Sequence, residues 1–365
     1  MNPLKMLQYF RRYVYPIGVL LAVCAVLLWF AAPAEGSFLG TGAFGIVLYV
    51  LCGAFVLLTI CAVVLGKRKK AKLQKAAEIL CLAVALVFLL VFIDRPVLRF
   101  IETARSAVHA DTNPQSFLGS MIYMLWNGRK MFLTGIWTTV RIALIGTAVA
   151  FVLALLMVFL RIQKSARQDN DTVRLLKGIG RFFSKIYITV IRGTPMMVQT
   201  LIIYYAGFGI FKSTGMSVTE INRVWSCFTC GLITVSLNST AYLAEVLRGG
   251  IDAIDGGQNE AARSLGMTNW QAMIKVIFPQ AVKNSIPAIG NEFIINIKDS
   301  SVLSVIGCYD LMFATTSVVG IYYKALPVYC IAAIVYLILT CLSSLIMRAI
   351  AKKMDTPVVS LPSSN

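Results

Sequence analysis

Residues Asn259–Ala281 read "NEAARSLGMTNWQAMIKVIFPQA". Gln258 to Leu265 are good helix formers. Gly266 follows where a glycine in the left-handed region would end such a helix. Thr268, with Gln271 three residues on, matches a capping box that starts a second helix. Trp270, Met273, Val276 and Ile277 then share one face of that helix. Pro279 is expected to stop it at about Ile277. The stretch therefore predicts two short polar helices joined by a glycine turn.

What surrounds this hairpin is far less polar. Mean hydropathy is +0.78, and only 14% of the 365 residues are charged, against about a quarter in soluble domains. Apolar runs near the length needed to cross a hydrocarbon core, about 20 residues, recur at Tyr13–Ala32, Thr41–Leu65, Ile79–Ile93, Met131–Leu160, Tyr187–Phe211, Val224–Leu247, Ile286–Cys308 and Ala325–Ile350. The third is short. Alternating ten-residue segments of the barrel type are absent. The expected fold is an all-α membrane protein of about eight transmembrane helices. Its expected organisation is a three-span extension (1–95), an extracytoplasmic segment (96–130) with an amphipathic surface helix, a five-span core (131–354) with the polar loop near 255–281, and a tail (355–365).

Charge fixes the orientation. Residues 1–15, 67–75, 161–186, 248–283 and 348–365 hold 23 of the 34 Lys and Arg. The alternate segments 31–41, 95–130, 212–224 and 306–324 hold 8, and Arg141, Arg192 and Lys298 lie within or at the ends of spans. Positive loops stay cytoplasmic, so both termini and the Asn259–Ala281 loop are expected in the cytoplasm. The net charge of +18 is then a topology signal rather than a nucleic-acid footprint. The basic run Gly66–Lys75 reads as a membrane anchor, with contact to anionic lipid as the second reading. Basic residues, an apolar run and Ala32-Pro33-Ala34 resemble a signal peptide. The run is longer than a usual signal core, which favours an uncleaved span.

Reactive chemistry is sparse. All nine cysteines lie in or at the ends of apolar spans, where thiols act as small hydrophobes. Cys227 and Cys230 form a C-x-x-C without a partner pair, which is weak support for metal or redox chemistry. The one histidine, His109, falls in an outer segment. No H-E-x-x-H, G-x-S-x-G or G-x-x-x-x-G-K-[ST] occurs, which argues against a membrane enzyme and against this chain being an ATPase.

The loop and several other passages together resemble the EAA-loop permeases of ABC importers, nearest to the polar amino acid branch. The matching residues are E-A-A at Glu260-Ala261-Ala262, then Leu265-Gly266 and Pro279-Gln280-Ala281. Gly135-Ile136-Trp137-Thr138-Thr139-Val140 resembles the start of the family's first core span. Arg192-Gly193-Thr194-Pro195 with Gln199, Leu237–Glu245 (L-N-S-T-A-Y-L-A-E), Arg248-Gly249-Gly250-Ile251 and Lys298-Asp299-Ser300-Ser301-Val302 follow in the family's order. Asn259 stands where an aromatic is frequent, Ser300 and Val302 replace Thr and Leu, and residues 1–130 lie outside the resemblance.

The resemblance implies the permease subunit of a bacterial cytoplasmic-membrane importer. Glu260, Ala261, Ala262, Leu265 and Gly266 would couple it to a dimer of cytoplasmic ATPase subunits that bind ATP and Mg. It carries no cofactor itself. It would pair with a second permease copy or a paralogue, receive substrate from an extracytoplasmic amino-acid-binding protein, and contact membrane lipid but no nucleic acid. An ATP-independent secondary transporter or channel explains the spans equally well but leaves the loop unexplained.

Asn238, Tyr242 and Glu245 fall at i, i+4 and i+7 on one face of the sixth span. With Ser239 beside them, they suit a zwitterionic amino acid. Gln199 and Thr194 are expected to line the same path. The alternative for Glu245 is a plain pairing with Arg248 at i+3; Arg192 could bind the substrate carboxylate, but near the cytoplasmic end of a span snorkelling is the more common role.

Overall fold

The computed structural model describes residues 17–26, 50, 52–56, 70–92, 96–163 and 170–354. Among these the chain is helical, with no strand. It divides into two compact units, Met1–Tyr123 and Met124–Asn365. Most of the first two expected spans, the Ala32–Ala34 site, Cys61 and the tail from residue 355 lie outside the described residues.

In the first unit, α1 (Ile17–Val26), a helical piece at 52–56 and α2 (Lys70–Phe92) build a small core. Cys81, Val84, Val87 and Val91 recur along one face of α2 and meet Ala22, Ala25, Cys52 and Phe55. The basic residues from Lys70 belong to α2 rather than to a loop, as the good helix propensity of Lys allows. The amphipathic helix expected in the outer segment is α3 (Leu98–Val108), and α4 (Phe117–Asn127) follows it.

The second unit is organised around α5 (Arg129–Ile162, 34 residues). Its buried stripe is Phe132, Gly135, Thr139, Ile142, Ala143, Gly146, Thr147, Ala150, Ala154 and Val158. Most of these are small. Between helices in lipid, close backbone approach replaces the hydrophobic effect as the source of packing energy. At Gly146 a Cβ would come within 2.8 Å of Val235, so only glycine admits this crossing of α5 against α9 (Cys227–Asp252).

The expected fifth span is not one rod. α6 (Asp171–Gly193) and α7 (Met196–Ser213) are bent by 111° at Thr194–Pro195. The residue before a proline is pushed out of the helical region, and Thr194 sits at φ −121°, ψ 145°. The break strands carbonyls at the end of α6. Gln199 meets them: its Nε2 donates to Ile191 O (2.8 Å), Thr194 O (3.0 Å) and Thr194 Oγ1 (2.9 Å).

α8 (Val218–Val224) opens on a complete capping box between Ser217 and Glu220. Past α9 come α10 (Gly256–Ser264) and α11 (Asn269–Ala272). Pro279 does not end the second helix. A π turn at Met273–Ile277, with Phe278 N donating to Met273 O, carries the chain into α12 (Phe278–Asp299). Widening the turn accommodates the missing N–H and the bulk of the proline ring.

The seventh span also differs from expectation. α12 tightens into a 3₁₀ segment (Ser300–Ile306), turns at Gly307 (φ 80°), and resumes as α13 (Leu311–Tyr322), bent by 52°. Asp310 caps α13 by accepting from Phe313 N at 2.8 Å. Part of the expected outer loop is thus apolar helix that buries Leu311, Ala314, Thr315 and Val318. α14 (Ala325–Lys353) closes the unit. Among the described residues, three helices are long and apolar enough to cross a membrane alone, or five spans if each bent pair counts once.

Candidate functional site

The hairpin's geometry comes from its caps. Asp255 Oδ1 accepts from Gly257 N at 2.8 Å and starts α10. At its far end Gly266 N donates to Arg263 O (2.9 Å) and Met267 N to Ala262 O (3.2 Å). That pair is a Schellman closure, and it requires the φ of +84° found at Gly266. Thr268 N then donates to Gln271 Oε1 (2.9 Å) and Gln271 N to Thr268 Oγ1 (3.2 Å), so both halves of the capping box are made.

Ala262 and Ala272 are buried in the hairpin's own packing, while Glu260, Ala261 and Gly266 are exposed and Leu265 is 81% exposed. A leucine left that bare at the apex of a doubly capped turn is an apolar knob offered outward. Inward, the hairpin is tied to the end of α5 through Phe159, whose ring lies 5.9 Å from Trp270 and 5.0 Å from Phe278.

A second constellation sits within the helices. Asn238 Nδ2 donates to Gln199 Oε1 at 2.9 Å, which joins α9 to the broken α6–α7 pair and, through Gln199, to Thr194. Ser239 Oγ donates to Asn296 Oδ1 (2.9 Å), and Asn296 Nδ2 to Thr147 Oγ1 (2.8 Å), linking α9, α12 and α5. Glu292 is buried beside Ser239. Tyr187 Oη donates to Leu237 O at 2.6 Å. The Asn238, Ser239, Asn296 and Tyr187 side chains are each hydrogen-bonded, as a low-dielectric surrounding demands.

Tyr242 is half-exposed, with the Arg192 guanidinium 5.4 Å over its ring. A Cβ placed on Gly193 or Gly249 would meet nothing within 4 Å, so this region is open.

Glu245 lies one turn further along α9. Its Oε2 accepts from Arg248 Nε at 3.0 Å, the pairing that i+3 spacing allowed, and its Oε1 accepts from Arg161 at the end of α5. Arg248 Nη1 also donates to Asp252 Oδ2 at 2.5 Å. Two cations and two carboxylates thus balance there. The structure brings Asn238, Gln199 and Thr194 into one network, places Ser239 in a neighbouring one, and sets Tyr242 and Glu245 on the same helix but with different partners. Sequence reasoning missed Arg161, Asn296, Thr147, Glu292 and Phe159. Of these, Glu292 carried a signal, since a carboxylate inside an apolar run is costly enough to mark a role. Among the described residues no group of His, Cys, Asp or Glu could hold a metal ion.

Comparison with known proteins bears directly on the hairpin and the helices around it. The profile of the family described as "binding-protein-dependent transport system inner membrane component" matches residues 172–356. The chain belongs to this family. The permease is 31% identical over 231 residues to a glutamine transport system permease protein of Escherichia coli (strain K12), covering 63% of this chain and 95% of that one. It is 36% identical over 221 residues to a putative glutamine transport system permease protein of Rickettsia felis, covering 60% and 91%. A nopaline transport system permease protein of Agrobacterium fabrum is 30% identical over 217 residues, covering 58% and 83%. A solved structure described as an amino acid ABC transporter with histidines superposes with a TM-score of 0.54 at 33% identity, covering 66% of this chain and 99% of that one.

Proposed function

We propose that this permease is the membrane subunit of an ATP-binding-cassette importer for polar amino acids. The observation that carries the reading is the hairpin: a doubly capped, exposed turn with Leu265 at its apex, in a chain of the binding-protein-dependent family. The named relatives and the amino acid ABC transporter of similar fold supply the substrate class. A dimer of cytoplasmic ATPase subunits binds ATP and Mg and seats Glu260, Ala261, Leu265 and Gly266 of each hairpin. A second permease copy or a paralogue completes the pair, and an extracytoplasmic binding protein delivers the amino acid. The charge bias supports a cytoplasmic hairpin and cytoplasmic termini. The full reading has eight spans, three of them before the core.

In this mechanism closure of the ATPases moves the hairpin, and Phe159 passes the movement to α5. The Arg161–Glu245 pair passes it on to α9, where Tyr242 faces the path, the Asn238–Gln199–Thr194 network borders it, and Ser239 packs behind against Asn296. Glu245 reaches a substrate ammonium by exchanging it for a guanidinium.

The test is purification of the full chain from its host in mild detergent, with mass spectrometry of what accompanies it. A stoichiometric nucleotide-binding subunit that is lost on Leu265→Asp supports the reading. A chain that transports in vesicles with no such subunit and no ATP requirement refutes it.

A further inference from the structure

Between the end of α5, the start of α6 and the hairpin lies a cavity of about 700 Å³, within the range of ligand pockets. Its lining mixes the apolar residues Trp270, Met273 and Ile277 with the polar residues Lys177 (on α6), Asn259 and Asn269. Neither the caps of the hairpin nor the polar network around Asn238 accounts for it.

The helix that supplies Lys177 is itself divided. Leu175, Leu176, Ile179, Phe182 and Phe183 lie on one face and are 55–67% exposed. Arg174, Lys177, Arg181 and Lys185 recur at i, i+3, i+7 and i+11 on the opposite face. On that side Gly180 packs on Leu160, and Ser184 Oγ donates to Met157 O at 3.0 Å. An outward apolar face with basic residues along the other side belongs in the boundary layer of a membrane. There the local anions are lipid phosphates, and each Lys or Arg is drawn to them.

We propose that this cavity binds an anionic phospholipid of the leaflet on the hairpin's side, its phosphate at Lys177 and an acyl chain against Trp270, Met273 and Ile277. A soluble anion has no use for the apolar residues, and a zwitterionic lipid gains less from the cation. The lipid bridges α6 to the hairpin, so the composition of the leaflet biases where the hairpin sits. The proposal rests on the function above only for the choice of cytoplasmic leaflet; the cavity and its readout need no ATPase.

The test is Trp270 fluorescence of the full chain in phosphatidylcholine nanodiscs with rising fractions of dibrominated phosphatidylglycerol or, separately, dibrominated phosphatidylcholine. The chain has five tryptophans, so the Trp270 component is taken as the difference between the native protein and Trp270→Phe. The expected result is saturable quenching by phosphatidylglycerol, with Lys177→Gln raising the half-saturating fraction about fivefold and Lys177→Arg restoring it. Native mass spectrometry should count one fewer retained phosphatidylglycerol in Lys177→Gln, a readout that does not depend on the Trp270 variant.

Equal quenching by the two lipids, or no effect of Lys177→Gln in either measurement, overturns the proposal. Reversal of the quenching by inorganic phosphate overturns it in favour of a soluble-anion site. Normal phosphatidylglycerol quenching in a protein that never co-purifies with an ATPase would count against the coupling reading and leave the lipid site standing.

Discussion

Gly266→Val puts the largest strain on the smallest part of the molecule. Gly266 holds φ +84°, a region that costs an L-residue roughly 1–2 kcal/mol, with β-branched side chains at the upper end or beyond. A Cβ there meets nothing within 4 Å, so the first carbon of the side chain adds no clash and that penalty is backbone strain. Two hydrogen bonds depend on that conformation, from Gly266 N to Arg263 O and from Met267 N to Ala262 O. Relaxing φ breaks both and reorients Leu265, yet touches no residue of the helix core. At about 1.4 kcal/mol per decade, a strain of 1.5–2 kcal/mol lowers the population of the native turn relative to relaxed ones by about ten- to thirtyfold. The assay is ATP-dependent uptake in proteoliposomes, with the thermal melting of the purified permease as control. Uptake should fall in the order Gly, Asn, Ala, Val, because asparagine tolerates the left-handed region best among the substitutes, while the melting temperature stays within a degree or two. If Val transported as well as Gly, or if the order followed side-chain size with Asn worse than Ala, the docking role of this turn would be refuted.

Three further outcomes follow from the same geometry. Glu245→Gln should destabilise the permease by about 1–3 kcal/mol, because two guanidiniums lose their carboxylate; a double-mutant cycle with Arg161→Gln, read by denaturation in detergent, should show a coupling of about 0.5–3 kcal/mol, and strict additivity would mean the pair is idle. Gln199→Ala should cost about 1–3 kcal/mol, since it frees the Ile191 and Thr194 carbonyls and the Asn238 amide at once, whereas Thr200→Ala, one residue on, loses only a hydrogen bond to its own helix. Glu220 has its carboxyl held below the ordinary range first by the Ser217 hydroxyl and then by the Ser217 backbone N–H. A lowered folded-state value means the contribution is full above the unfolded carboxylate value and vanishes as pH falls through the folded one. Amide protection of α8 should therefore be flat from neutral pH down to the usual carboxylate range and drop below it, and Glu220→Gln should remove that drop.

The hairpin was legible because its rules act over a few residues. A glycine at 266, a threonine at 268 and a glutamine at 271 fix caps and turn without help from the rest of the chain. The long helices were legible from hydropathy, since nothing but a helix of that length hides its backbone in lipid. The breaks were not. Pro195 and Pro279 read alike in sequence, yet one bends the chain by 111° and the other is absorbed in a π turn. The difference is tertiary: Gln199, held by Asn238, stabilises the open break at 195. The polar partners were hidden for the same reason. Arg161 and Glu245 are 84 residues apart, and Thr147 and Asn296 are 149 apart. No local pattern couples residues so distant, so the spacing of Asn238, Tyr242 and Glu245 correctly gave a shared helix and could not give three different neighbours.

The strength of the links between hairpin and helices suits the proposed coupling. Two sites influence one another usefully when they share about 1–3 kcal/mol. The Phe159 contacts with Trp270 and Phe278 are each worth about 0.5–1.5 kcal/mol beyond burial, and Arg161 follows Phe159 by two residues to hold Glu245. The end of α5 therefore meets the hairpin on one side and α9 on the other. Along the rest of the α5–α9 interface the packing residues are mostly small, and hydrogen bonds between helices in lipid average only about 0.6 kcal/mol. A displacement of the hairpin can then tilt α5 against α9 without tearing a strong contact, and in the proposed coupling it reaches α9 at Glu245. A stiffer joint at Phe159 would fix the two helices together, and a looser one would let the hairpin move alone.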